Sequence, residues 1–116
     1  MKKPLTVLVA VMLQAVPAIA RDMLDEKTHE YTPYGIAISL VAAAQVNEMS
    51  CKMKGQISLA LAKLKRRGIT IDLNDKEDFA DVLFQATQIM TEVRKEGAAS
   101  WCKARSAKMD EFLRSD

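Results

Sequence analysis

The sequence contains few of the residues from which catalytic and metal centres are built. Its 116 residues include one histidine, one tryptophan and two cysteines, and aromatic residues make up 5%. The single histidine, His29, cannot form a His-rich metal site, and the Cys-x-x-Cys-His motif of c-type haem attachment is absent. The sequence also lacks His-Glu-x-x-His, a Gly-rich phosphate loop and a nucleophile-elbow serine. These absences predict a protein that is not an enzyme and has no cofactor.

The first twenty residues have the three parts of a secretory signal peptide. Lys2 and Lys3 form a positive n-region, residues 5–16 are apolar, and Ala18-Ile19-Ala20 is a small-x-small cleavage site. The apolar run is too short to cross a bilayer. We therefore predict that residues 1–20 are cleaved, that no stable membrane span remains, and that the protein is periplasmic or secreted.

Charge does not favour a nucleic-acid partner. The whole chain has 17 Lys and Arg against 15 Asp and Glu. Lys2 and Lys3 leave with the signal peptide, so the mature chain is neutral. The basic residues between Lys52 and Arg67 have no interleaved aromatic residues, which single-stranded nucleic acids stack upon. We predict no nucleic-acid binding.

The two cysteines, Cys51 and Cys102, predict a disulfide. An even number of cysteines in an exported chain is normally bridged, because the compartment is oxidising. In a domain of this size such a bridge supplies a large share of the stability.

The hydrophobic patterns predict an all-α fold, a single four-helix domain over residues 33–116, preceded by a flexible polar arm at 21–32. Thr32-Pro33 is a typical helix start, and the first helix is expected to run from about Pro33 to Met53, with Gly55 ending or kinking it. The second helix covers about 56–67 and the fourth about 98–114. Asn74 and Glu77 form a capping-box-like start for the third. Residues 69–73 alternate like a strand but have no partner strand, so we predict an extended connector.

The first helix is apolar on nearly every side from Gly35 to Val46. Such a helix is buried all round, in a core or in an interface. One alternative is that the other three helices enclose it completely. The other is that Ile36, Leu40 and Ala43, which share one face, stay open and bind a second copy or another protein.

Two charged blocks adjoin one another in the sequence. Lys63, Lys65, Arg66 and Arg67 form a candidate anion-binding patch at the end of the second helix. Five acidic residues follow within residues 72–81. The alternative to an external anion is that the two blocks face each other or simply solvate neighbouring helices. Arg105 lies among apolar residues of the fourth helix and is expected to stack on Trp101 or to pair with a carboxylate of another helix.

Met49, Cys51 and Met53 group two thioethers and a thiol, which are soft ligands suited to Cu(I). The same spacing of four residues between the methionines is also that of core residues in a helix. A disulfide at Cys51 would remove the thiolate, so counting free thiols distinguishes the two interpretations.

In organisation alone the chain resembles small helical periplasmic proteins with one disulfide. The acid-stress chaperones of enteric bacteria and the immunity proteins of interbacterial toxin systems are of this kind. The resemblance covers architecture and transfers no residue roles. It implies a protein that binds other proteins. We therefore predict a non-catalytic exported protein with a protein partner, such as a chaperone, inhibitor, immunity protein or accessory subunit; the alternative is the soft-metal protein.

Overall fold

The computed structural model describes residues 23–116, which form four α-helices and one disulfide. The helices are α1 (Pro33–Cys51), α2 (Gln56–Arg66), α3 (Lys76–Glu96) and α4 (Ala98–Arg114). The prediction of an all-α, four-helix fold is confirmed. The predicted signal peptide lies outside the described residues. Within residues 23–116, no helix is both long enough and apolar enough to cross a membrane.

The start of α1 follows the sequence signal. The Thr32 hydroxyl accepts a hydrogen bond from the Gly35 N–H at 3.0 Å. Pro33 occupies the first turn, where its missing N–H would have had no helical partner. Together these two residues fix the point at which the chain enters the helix.

The end of α1 differs from the prediction. The helix stops at Cys51, because Lys52 adopts the left-handed conformation with φ 60° and donates its N–H to the Asn47 carbonyl. Gly55, expected to end α1, instead precedes α2 with φ 72°. The left-handed turn thus falls on Lys52, a residue type with no particular preference for that conformation.

The chain between α2 and α3 is the extended connector that the sequence predicted. Ile71 is buried, and Ile69 and Leu73 are half-buried against the core. The N-cap of α3 lies one residue beyond the predicted one: Asp75, not Asn74, accepts the N–H of Asp78 at 3.0 Å. The same capping chemistry is used, shifted by one position.

α1 lies at the centre of the bundle and packs against α2, α3 and α4. Its buried apolar residues supply much of the core, namely Ala37, Ile38, Val41, Ala42, Ala44 and Val46. The other helices add Leu64, Val82, Val93, Trp101 and Leu113. The enclosure is incomplete, because Ile36 is 60% exposed.

Buried amides tie α2 and α4 to α1. Asn47 Nδ2 donates to Gln56 Oε1 at 2.9 Å, and Gln56 Nε2 donates to the Asp110 carboxylate at 2.7 Å. Asn47 and Gln56 are fully buried. The bond from Gln56, followed by one from Arg114, lowers the pKa of Asp110. Because an unpaired buried polar group is costly, this chain of bonds favours one register of the three helices.

Residues 23–32 fold back over the start of α1, where the sequence predicted a flexible arm. Met23 and Leu24 are buried, and Leu24 forms an isolated antiparallel bridge with Tyr31. The Met23 carbonyl accepts the Thr32 N–H at 2.9 Å. The physical reason is that two apolar side chains in a polar stretch reach the core, which periodicity alone does not reveal.

Gly35 permits this close approach. A Cβ at this position would collide with the Met23 carbonyl and lie 3.0 Å from the Tyr31 ring. Gly35→Ala should therefore lower the free energy of unfolding by about 1–3 kcal/mol. In an unobstructed helix the same change gains about 1 kcal/mol, so the sign of the effect measured by urea denaturation is diagnostic. A stabilised variant with unchanged amide-exchange protection at Thr32 would contradict the packing of Met23 on α1.

The predicted disulfide joins the last residue of α1 to the first turns of α4. The Cα atoms of Cys51 and Cys102 are 5.5 Å apart, and 51 positions separate them in the sequence. In the chain-entropy model a bridge of this span stabilises the fold by roughly 4 kcal/mol. It holds the start of α4 against the central helix.

Cys102→Ser should lower the free energy of unfolding by about 2–5 kcal/mol, because the unfolded chain regains its freedom. Denaturant titration with and without reductant measures the effect. The double variant Cys51→Ser/Cys102→Ser should match the single variant, since both lose the same bond. A melting temperature that does not respond to reductant would contradict this role.

Candidate functional site

An open groove runs between α1 and α4. The two helices are antiparallel: Cys51 is bonded to Cys102, whereas Leu40, three turns earlier in α1, shares the groove with Phe112. The groove has a volume of about 510 Å³ and is lined by Leu40, Ala104, Arg105, Lys108, Met109 and Phe112. The five residues from α4 recur at helical spacing and so form one face of that helix.

A smaller depression continues the groove toward the end of α4. It measures about 280 Å³ and shares Lys108 and Phe112 with the groove, while Glu111 and Ser115 complete its lining. Phe112 therefore separates two connected hollows, and Lys108 lies at the edge of both.

The three residues predicted as an interface lie on the incompletely covered side of α1. Ile36 is 60% exposed, and Leu40 and Ala43 are half-buried. Only Leu40 lines the groove; Ile36 lies one turn away on the same face. The opposite face, with Ile38 and Val41, is fully buried.

Phe112 is the groove residue that the sequence analysis missed. It is an apolar residue near the end of α4, and half of its surface is exposed. Leu113, the next residue, is 1% exposed and faces the core. Adjacent helical residues point about 100° apart, so both cannot occupy the centre of the buried face. The adjacent positions of Phe112 and Leu113 therefore indicate that one of the two lies away from the centre of the buried face.

The two charged residues that line the groove are cations in different settings. Arg105 pairs with Glu96 of α3 at 3.1 Å and lies over the Trp101 ring at 5.5 Å, so both expected contacts are present. The hydrogen bond from Arg105 lowers the pKa of Glu96. Lys108 is exposed and forms no ion pair with any residue in the described range.

Lys63 of the predicted anion patch is buried, whereas the other three residues of the patch are exposed. Lys63 is 2% exposed; its ammonium donates to the carbonyl and hydroxyl of Ser115 at 2.7 and 3.1 Å and lies 4.4 Å from the centre of the Phe112 ring. Burial, followed by the nearby arginines, lowers the pKa of Lys63. Arg67 donates to the Asp116 carbonyl at 3.1 Å. Lys65 and Arg66 remain exposed.

Lys63 thus holds Ser115 just beyond the end of α4, and we expect its substitution to destabilise that end of the chain. Lys63→Ala should lower the melting temperature and speed carboxypeptidase digestion of the last residues, because the Ser115 carbonyl loses its donor. Lys65→Ala removes the same charge from an exposed neighbour and should change neither. Equal effects of the two substitutions would indicate that general charge, rather than the Ser115 contact, matters.

The acidic block has local partners. Asp75 caps α3, and the Tyr34 hydroxyl of α1 lies 2.7 Å from the Asp78 carboxylate and 2.8 Å from that of Asp81. Burial and these carboxylates raise the pKa of Tyr34. Among residues 23–116, the ion pairs are Arg105–Glu96 and Arg114–Asp110, so none joins the basic block to the acidic one.

The soft-metal cluster predicted from the sequence has no free thiolate. The Cys51 sulfur is bonded to Cys102, and Met49 is 65% exposed. His29 is exposed in the turn before α1, with φ 58°. In the part of the chain that the structure describes, no group of three or more His, Cys, Asp or Glu is placed to hold a metal ion.

Comparison of the chain with protein-family models, with curated proteins and with solved structures finds no match.

Proposed function

We propose that this chain is a non-catalytic exported protein that binds another protein through the groove between α1 and α4. The observation that carries the proposal is the open groove itself, whose lining includes Leu40, Met109 and a half-exposed Phe112. Clusters of exposed apolar side chains on a small domain mark interaction sites. Aromatic residues, methionine and arginine are also the types enriched in protein interfaces.

The surroundings of the groove support the same proposal. Ile36, one turn from Leu40, extends the apolar surface along α1. The groove is open along its length, whereas sites for small molecules enclose most of the ligand surface. A chaperone, inhibitor, immunity protein or accessory subunit would each use such a surface.

The proposed export is supported by the disulfide, which is typical of proteins in oxidising compartments. The soft-metal alternative needs the Cys51 thiolate, and that sulfur is bonded to Cys102. The disulfide therefore leaves the soft-metal alternative without its thiolate ligand.

A photo-crosslinking side chain at Phe112 should form a discrete adduct with another polypeptide in the producing cell. Leu40→Glu should abolish the adduct, because a carboxylate then lies in the apolar lining. Its circular dichroism should stay that of wild type, since a half-buried residue at an open groove lets the new carboxylate reach water. In an enclosed helix the same carboxylate would cost several kcal/mol and unfold the domain.

The matched control is the same crosslinker at Met49. This residue is 65% exposed and apolar, and nine positions along a helix place it on the opposite side of α1 from Leu40. An adduct that forms from Met49 and not from Phe112, or one that survives Leu40→Glu, would overturn the assignment of the groove.

A further inference from the structure

We infer that the groove takes an acidic amphipathic segment of another protein. Apolar side chains of that segment would cover Leu40, Met109 and Phe112, and a carboxylate beside them would pair with Lys108 and Arg105. The inference rests on the proposed function and specifies the chemistry of its partner.

The groove between α1 and α4 has charge of one sign, because its two charged lining residues, Arg105 and Lys108, are both cations. Glu111 lies in the lining of the depression beyond Phe112, outside this basic part. The contact of Arg105 with Glu96 uses one guanidinium nitrogen, Nη1, and a guanidinium carries five N–H donors. The Arg105 guanidinium therefore keeps N–H donors for a second carboxylate. Its contacts with Glu96 and Trp101 already orient it. Lys108 adds an exposed ammonium one turn away.

The apolar part of the groove has the dimensions of a helix site. From Ala104 to Phe112 the lining face of α4 extends about 12 Å, and the depression reaching Ser115 lengthens it to about 16 Å. That length suits two to three turns of helix. Recognition of a helix in a groove uses apolar side chains at i, i+3 or i+4, and i+7.

Two-fold pairing of identical chains fits the charges poorly. A two-fold interface centred on Lys108 would bring the Lys108 ammonium groups of the two copies together. Like charges placed together oppose association. A second copy offers an acidic apolar surface at Phe79 and Leu83, which are 46% and 41% exposed near the acidic start of α3. Docking that surface in the groove would be head-to-tail, so a second copy is a separable outcome of the test.

The test uses the disulfide-bonded protein and three labelled helical peptides of about 14 residues, which are about 21 Å long and so extend past both ends of the groove. The first has leucines at i, i+4 and i+7 flanked by glutamates. The second replaces the glutamates by lysines, and the third replaces the leucines of the first by alanines. Fluorescence anisotropy measures their affinities for wild type, Leu40→Glu, Lys108→Glu and Lys103→Glu. Lys103→Glu is the matched control, because it reverses an exposed charge on α4 outside the groove lining.

The acidic leucine peptide should bind best, and Leu40→Glu or loss of the leucines should abolish binding. Lys108→Glu should weaken the acidic peptide about fivefold and favour the lysine peptide, an effect that salt reduces. Lys103→Glu should change affinity less than about twofold.

Equal binding of both leucine peptides, unaffected by Lys108→Glu, would overturn the acidic specificity while leaving the proposed function in place. Failure of the acidic leucine peptide to bind would also overturn the inference. The crosslink from Phe112 would then decide the proposed function separately, because it depends on no designed peptide. Sedimentation of wild type as an oligomer that Lys108→Glu dissociates would identify a second copy as the occupant and overturn the inference as well.

Discussion

The arrangement of this domain depends on a central helix whose apolar surface is larger than its three neighbours cover. A typical amphipathic helix has an apolar stripe toward the core and a polar stripe toward water. α1 lacks this division, since its buried apolar residues lie on several sides: Ala37, Ile38, Val41, Ala42, Ala44 and Val46. α2 has only 11 residues and covers one part of the helix, while α3 and α4 cover others. The side of α1 with Ile36, Leu40 and Ala43 is left incompletely covered, and the groove lies beside it.

Polar contacts decide how the neighbouring helices sit on α1. Apolar contacts alone do not select one register between helices, because similar side chains can pack in several registers. The chain Asn47–Gln56–Asp110 allows few alternatives, since a shift of one turn would leave fully buried amides unpaired. Gln85 acts similarly at the other end, where it donates to Tyr31 and Ser39 and so joins α3 to α1 and to the segment before it. Most of the core is apolar, but a few buried amides determine the register in which the helices pack.

The helices and the disulfide were accessible to sequence reasoning because they leave local or compositional signals. Thr32-Pro33, the apolar periodicity of α3 and an even pair of cysteines are such signals. The packing of Met23 and Leu24 was not accessible, because two adjacent apolar residues in a polar stretch have no periodic pattern. The end of α1 and the start of α3 differ from the predicted positions by one or two residues, because several capping residues compete within one turn.

The candidate site was predictable only in part. Leu40 was identified from the apolar first helix, yet the α4 side of the groove depends on the direction in which that helix is rotated. The rotation of α4 about its axis is set by contacts with other helices, not by the sequence of α4 itself. These contacts are the Cys51–Cys102 bond and the hydrogen bond from Gln56 to Asp110. The burial of Lys63, a member of the predicted anion patch, was not predictable for a related reason. A basic residue in the last turn of a helix is ordinarily solvated. Lys63 is buried under Phe112 because the end of α4 packs over it, and the local sequence does not reveal that packing.

The attachment of α4 at both ends has a consequence for binding. Cys102 fixes its beginning to α1, and Lys63 of α2 holds Ser115 just beyond its end. The two walls of the groove are therefore preorganised, and an incoming segment need not order them. Little conformational entropy is then lost by the receptor, and most of the ordering cost falls on the ligand. Differences in affinity among ligands at this groove would accordingly reflect how readily each segment becomes helical, as well as the contacts that it makes.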